Sequence, residues 1–288
     1  MGDSEKFGSS GQALAVTLRA HGRSLGKVQD FLCSVWGFEV AVAANLSWEQ
    51  TAANGLDPIY QGLYRELTDA EINPSSEGDE TSFPIDGENG GTWVGVGGNA
   101  WTVVYSTLPT RGLDGALGMW KGYSGGLTRD AYHSYNVLEE ANHQMEPVHV
   151  NRWLQKVEVS HHIEPREFLI EKPPKYEQAG RPPAEFLQFA TGVSARLQEP
   201  VLWHEGHAKL RSRARDQRQV RVVKWMRRFG SRLWKGEGVV RIAKDINGRL
   251  PGLYLFLKDP LVSWNSNDAE RKVRVFVACR KMAGGRRT

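Results

Sequence analysis

The sequence predicts a mixed α/β fold, a sheet core with a helical region before it and a helical insertion within it, on three observations. Thr81 to Ile85, Thr92 to Val96 and Trp101 to Thr107 are short, rich in β-branched and aromatic residues, and divided by Gly/Asn clusters, as strands joined by hairpins are. The segments after them alternate between helical and strand-like patterns. Both flanks carry apolar residues at helical spacing.

In chain order, Gln12 to Ala20 reads as a helix stopped by Gly22, and Ser24 can cap a second helix, Leu25 to Trp36, that Gly37 ends. Phe38 to Ala53 offers a third; the three are compatible with a helix-turn-helix or with any small bundle. Asn73 to Gly78 reads as a loop. After the three strands, Gly112 to Lys121 is a short helix, Gly126 to Asp130 ends a fourth strand, Tyr132 to Asn142 is helical and Pro147 to Val150 is a fifth strand. Pro173-Pro174 and Pro182-Pro183 punctuate a helical, basic stretch that runs to Trp234. Leu250 to Leu257 is an apolar segment closed by Asp259-Pro260. A last helix starts near Asn267, with Ala269, Val273, Phe276 and Val277 on one face and Gly284-Gly285 as its end. The boundaries expected are 1–73 for the N-terminal helical region, 74–150 for the first part of the core, 151–249 for the insertion and 250–288 for the final part of the core.

The net charge of +4 hides a split: residues 1–100 carry 5 Lys/Arg against 14 Asp/Glu, and residues 204–249 carry 14 against 4. A polyanionic partner for the basic half explains this, as does a solvated basic helix face. No apolar run reaches the roughly 18 residues of a membrane span, and Met1 to Gly11 lacks an apolar signal core. Two cysteines without a Cys-x-x-Cys pair exclude a zinc ribbon and point to a reducing, intracellular setting.

Three local signals carry chemistry: Asp79-Glu80-Thr81 where the first strand begins, Asp130 at the end of a later strand, and Asn267-Asp268-Ala269-Glu270-Arg271 opening the final helix. Each has a structural alternative. Asp79 lies in an acidic turn, Asp130 can cap the next helix, and Asn267-x-x-Glu270 has capping-box spacing. Glu80 points to the face opposite Asp79 in a regular strand. Gly95 to Ala100 fits a dinucleotide pattern but precedes a strand, so it reads as a hairpin turn. His204-Glu205-Gly206-His207 is one residue short of zincin spacing, and His161-His162 with Glu164 reads as surface polarity. Trp225 and Trp234 among basic residues can stack on unpaired bases, but at helical spacing they read as core.

The run Phe256-Leu257, Pro260, Asn267-Asp268-Ala269-Glu270-Arg271, Arg274, Val277, Arg280-Lys281 and Gly284-Gly285 resembles the C-terminal signature of insertion-sequence transposases with a DDE, ribonuclease-H-like catalytic core. Asp79-Glu80-Thr81 with Gly87 and Trp93-Val94 resembles the family's first-acid strand and hairpin. Asp130-Ala131-Tyr132 with Tyr135-Asn136 resembles its second-acid segment, and His143-Gln144-Met145 with His149 and Arg152 the stretch after it. The resemblance implies a ribonuclease-H-like mixed sheet, and Asp79, Asp130 and Glu270 as catalytic and metal-ligating acids. It also implies Mg²⁺ or Mn²⁺, transposon-end and target DNA as partners, a homo-oligomer on DNA, and a prokaryotic cytoplasm. The activity implied is strand cleavage at transposon ends and strand transfer. Three converging carboxylates suit two hard cations about 3.5–4 Å apart.

Basic residues supply the expected DNA contacts: Arg271, Arg274, Arg280 and Lys281 around the third acid, and Lys209, Arg211, Arg213 and Arg215 in the insertion. The sequence departs from the family pattern at Ser266, where Asn is usual, and at Glu146, where Cys is common. It also lacks an N-terminal zinc module and stops soon after Gly-Gly-Arg. The rival expectations are a truncated or degenerate copy that binds DNA without turnover, and a cellular ribonuclease-H-like nuclease.

Overall fold

The computed structural model describes residues 8–37, 39–85, 88–160, 184–207, 212–234 and 237–282. Three helices come first: α1 (Ser9–Ala20), α2 (Leu25–Trp36) and α3 (Val42–Thr68). Ser24 caps α2 by accepting from the Lys27 N–H, and Gly37 closes it at φ +72°, a conformation that favours glycine. The expected third helix is longer than its pattern, because α3 runs through Gly55 and Pro58 to reach the sheet. There Leu67 is fully buried, Tyr60 donates to the Tyr105 carbonyl (3.2 Å) and Tyr64 to those of Gly118 and Met119 (both 2.9 Å). Tertiary packing outweighs the two helix breakers.

The strands β1 (Ser75–Ile85), β2 (Glu88–Gly97), β3 (Val103–Leu108), β4 (Gly126–Arg129) and β5 (Asn142–Met145) form one sheet in the order β3-β2-β1-β4-β5. β1, β2 and β3 are antiparallel, while β4 and β5 run parallel to β1. This mixed α/β architecture is compatible with the ribonuclease-H-like core that the sequence predicts. Three expectations are corrected. Ser75 to Gly78, read as loop, are strand, because their small buried residues sit between β2 and β4. The fifth strand is Asn142–Met145, and Pro147 instead opens α5 (Pro147–Ser160), where the first helical turn needs no proline N–H. Between β4 and β5 only a 3₁₀ turn forms, His133–Val137, because Asp130 and Arg129 take the backbone groups of Tyr132.

Each face of the sheet is covered. On one face lie α3 and α4 (Leu113–Trp120), with Trp93, Met119, Trp120 and Leu127 in the core. A Cβ on Gly95 would fall 2.4 Å from Leu67 Cδ2, so only glycine admits α3 this close. On the other face α10 (Asn267–Met282) packs Ala269 and Val273 on Val94 and Val96. The remaining helices, α6 (Ala184–Gly206), α7 (Ser212–Gly230), α8 (Glu237–Leu253) and α9 (Leu255–Lys258), share a core with α5 and the end of β5. Trp225 in α7 and Trp234 just past its end both pack on that core, the reading the sequence favours. The Pro-Pro pairs, His161-His162, Glu164 and Gly284-Gly285 lie outside the described residues.

Candidate active site

Sheet register sets the first two acids side by side. β1 pairs with β4 at Glu77 and Thr128. Two residues further along each chain come Asp79 and Asp130, and neighbouring strands are about 4.8 Å apart. β4 pairs with β5 at Arg129 and Met145, so Glu146 follows on the same level, its N–H donating to the Arg129 carbonyl (3.2 Å). Asp79, Asp130 and Glu146 therefore form a row across three parallel strands, just past the C-terminal ends of β4 and β5, where α/β sheets place their ligands, and partway along the longer β1. Asp79 lies in the middle of β1, not where that strand begins.

The third acid arrives on α10, whose first amides are all met. The Asn267 N–H donates to Asn265 Oδ1 (3.1 Å), the N–H groups of Asp268 and Ala269 donate to Glu77 Oε2 (2.9 and 3.2 Å), and that of Glu270 donates to the Ser266 carbonyl (2.9 Å). Ser266 gives its own N–H (2.5 Å) and hydroxyl (2.6 Å) to Glu146 Oε1. The capping-box alternative for Glu270 is thus already filled, since Asn265 Oδ1 takes the Asn267 N–H and the Ser266 carbonyl takes that of Glu270. The Glu270 carboxylate instead lies 3.3 Å from Arg274.

The field at Asp79 is strongly negative. Burial first, then the charge of Glu80, with Asp130 and Glu270 adding, pushes its carboxyl up to about 7, against the pull of the Glu80 N–H that it accepts (2.8 Å). Burial likewise pushes Glu77 up to about 7, despite its two helix amides. Glu80 lies on the other face of β1 as expected, raised by burial and by Asp130 and offset by Arg111, whose guanidinium donates to it at 2.7 Å. Asp79, Asp130 and Glu270 are each half-buried.

Several neighbours went unread in the sequence. Buried Arg129 holds the loop of the second acid, donating to the carbonyls of Asp130 (3.1 Å) and Tyr132 (3.2 Å) and to Asn136 Oδ1 (2.8 Å). Its Nε donates to His143 Nδ1 (3.1 Å), and burial and that cation lower His143 to about 4, which keeps the ring neutral. Glu77, at i−2 from Asp79 on the same strand face, had an alternation signal that could have found it. Among the described residues, Glu146, His149 and Glu270 form a group whose ligand atoms lie within 4.8 Å of one another.

The basic residues divide. Arg271 and Arg274 are exposed on α10, Arg271 paired with Asp268, and Arg213 is exposed on α7. Arg215 corrects the expectation: it is 1% exposed and donates to the Phe256 carbonyl and His204 Nδ1 (both 2.8 Å), so it ties α7 to α9 and presents nothing to DNA. Lys209 and Arg211 lie outside the described residues, and so do the side chains of Arg280 and Lys281. No helix of the described residues is long and apolar enough to cross a membrane.

No curated protein matches the chain. The sequence model described as "Transposase IS66 family" matches residues 8–288. With this match over nearly its whole length, the chain belongs to the IS66 family of insertion-sequence transposases.

Proposed function

We propose that this transposase cleaves DNA at transposon ends and joins the freed 3′ ends to target DNA, with divalent ions held by Asp79, Asp130 and Glu270. The observation that carries this reading is the β1–β4 register, which sets Asp79 beside Asp130. Burial and then the charges of Glu80, Asp130 and Glu270 push the Asp79 carboxyl up to about 7, an environment that a cation would relieve. The donor set fits: three carboxylates offer hard oxygen ligands and leave positions for water and phosphate. When bound, Mg²⁺ or Mn²⁺ supplies activation of the attacking oxygen and neutralisation of the leaving one.

The chain's own residues position and neutralise. Arg129 fixes the backbone beside Asp130, and Glu77 fixes the start of α10 so that Glu270 faces the strand ends. Arg271 and Arg274, exposed beside the third acid, meet phosphates, which gives affinity without sequence readout. Arg213 adds to this from α7. The enzyme acts as a homo-oligomer on paired ends, with the 151–249 region as an insertion into a core formed by 74–150 and 250–288.

The test is strand cleavage on DNA carrying the inverted repeats that flank the element. Asp130→Ala abolishes metal-dependent cleavage while DNA binding stays within about twofold. Wild-type protein that binds these ends and never cuts them, in Mg²⁺ or Mn²⁺, overturns the catalytic reading in favour of a copy that only binds.

A further inference from the structure

Glu146 follows β5 directly, and His149 lies one turn further along, in α5. The Glu146 side chain is only 2% exposed, and Ser266 pins its Oε1 through two short hydrogen bonds. Its Oε2 stands 3.1 Å from His149 Nε2, a buried nitrogen that makes no regular hydrogen bond. Glu270 completes the group within 4.8 Å.

We propose that His149, with Glu146, extends the metal site on its Glu270 side, so that one divalent ion is held by an imidazole nitrogen as well as by carboxylate oxygens. The inference rests on Glu270 being a metal ligand, as proposed above. Adjacent ligands at about 2.1 Å from a common octahedral ion stand about 3.0 Å apart, and the separation of Glu146 Oε2 and His149 Nε2 is 3.1 Å. Opposite ligands stand about 4.2 Å apart, so the 4.8 Å group needs only a slight closure around an ion. Glu146 is held before any ion arrives, since Ser266 prevents its carboxylate from turning away. Capping of α10 uses Glu146 Oε1, which takes the Ser266 N–H and hydroxyl, and leaves Oε2 facing His149, an ion pair only when the imidazole is protonated. An imidazole donor favours first-row transition ions over Mg²⁺, so the ligand class is a divalent transition ion, with Mn²⁺ as the probe.

The full chain, stripped of metal, is titrated with Mn²⁺ and with Mg²⁺ by calorimetry, and its Mn²⁺ form is studied by pulsed electron paramagnetic resonance for coupling to ¹⁴N. The wild type shows nitrogen coupling. His149→Ala removes it and weakens Mn²⁺ binding about tenfold, with less than about a twofold change for Mg²⁺. An unchanged Mn²⁺/Mg²⁺ affinity ratio in His149→Ala, or a wild type without nitrogen coupling, overturns the inference while leaving the three-acid site standing. Mn²⁺ binding that Asp79→Asn does not weaken overturns the three-acid site itself. If circular dichroism shows His149→Ala unfolded, His149→Gln and the wild-type nitrogen signal decide.

Discussion

The two faces of β1 carry acids of the same kind in opposite situations. On the face toward α4, Glu80 is buried beside Arg111, whose guanidinium lies 2.7 Å away. On the face toward α10, Asp79 is raised by burial and by the charges of Glu80 (from the opposite face), Asp130 and Glu270, and Glu77 has the amides of α10 and a neighbouring hydroxyl. A buried carboxylate with its own cation is part of the scaffold. One raised by burial and by like charges costs stability unless something positive binds there, and that contrast supports the proposed role of Asp79 over Glu80.

The largest test of the contrast is Asp79→Asn. Cleavage falls by at least about a thousandfold, yet the metal-free protein melts higher by a few degrees, since removing a penalised charge returns about 1–3 kcal/mol. A lower melting temperature would break the contrast. Next is Arg111→Ala, which strands Glu80 and lowers unfolding free energy by about 2–3 kcal/mol in denaturant titration, the partly exposed guanidinium holding the loss below that of a fully buried pair. Glu77→Ala is smaller, about 1–2 kcal/mol for two unmet helix amides, and it lowers cleavage by displacing Glu270 while leaving DNA affinity unchanged.

The smallest effect is in pH. A carboxyl pushed up to about 7 in the fold, from an ordinary aspartate value of 3.8, keeps its proton longer in the folded state. Its contribution to stability therefore falls as pH rises from about 4 to 7 and stays low above that. The stability gained by Asp79→Asn is accordingly full at pH 8 and shrinks toward pH 5. An equal gain at both values would place the penalty elsewhere.

Helices with clear signals were legible to within a few residues. Ser24, the 3.6-residue periodicity and Gly37 give α2 its bounds. Segments whose state depends on partners were not. Ser75 to Gly78 look like loop because nothing in four small or polar residues shows that strands lie on both sides. The Pro147 segment reads as strand in sequence because a short apolar run has no periodicity to separate strand from helix turn. Arg215 read as one more cation in a basic stretch, and only the fold shows its guanidinium spent on Phe256 and His204.

By itself the sequence determined the mixed α/β class and the order of helices and hairpins, because these rest on local periodicity and turn chemistry, while the three candidate acids are what the family resemblance implies. Only the tertiary structure decided which charges meet. Sheet register aligns Asp79 with Asp130 and Glu146, and a helix more than a hundred residues later is anchored on Glu77 and Glu146 so that Glu270 comes beside Glu146. Burial and electrostatics depend on distance in space, which separation along the chain does not encode.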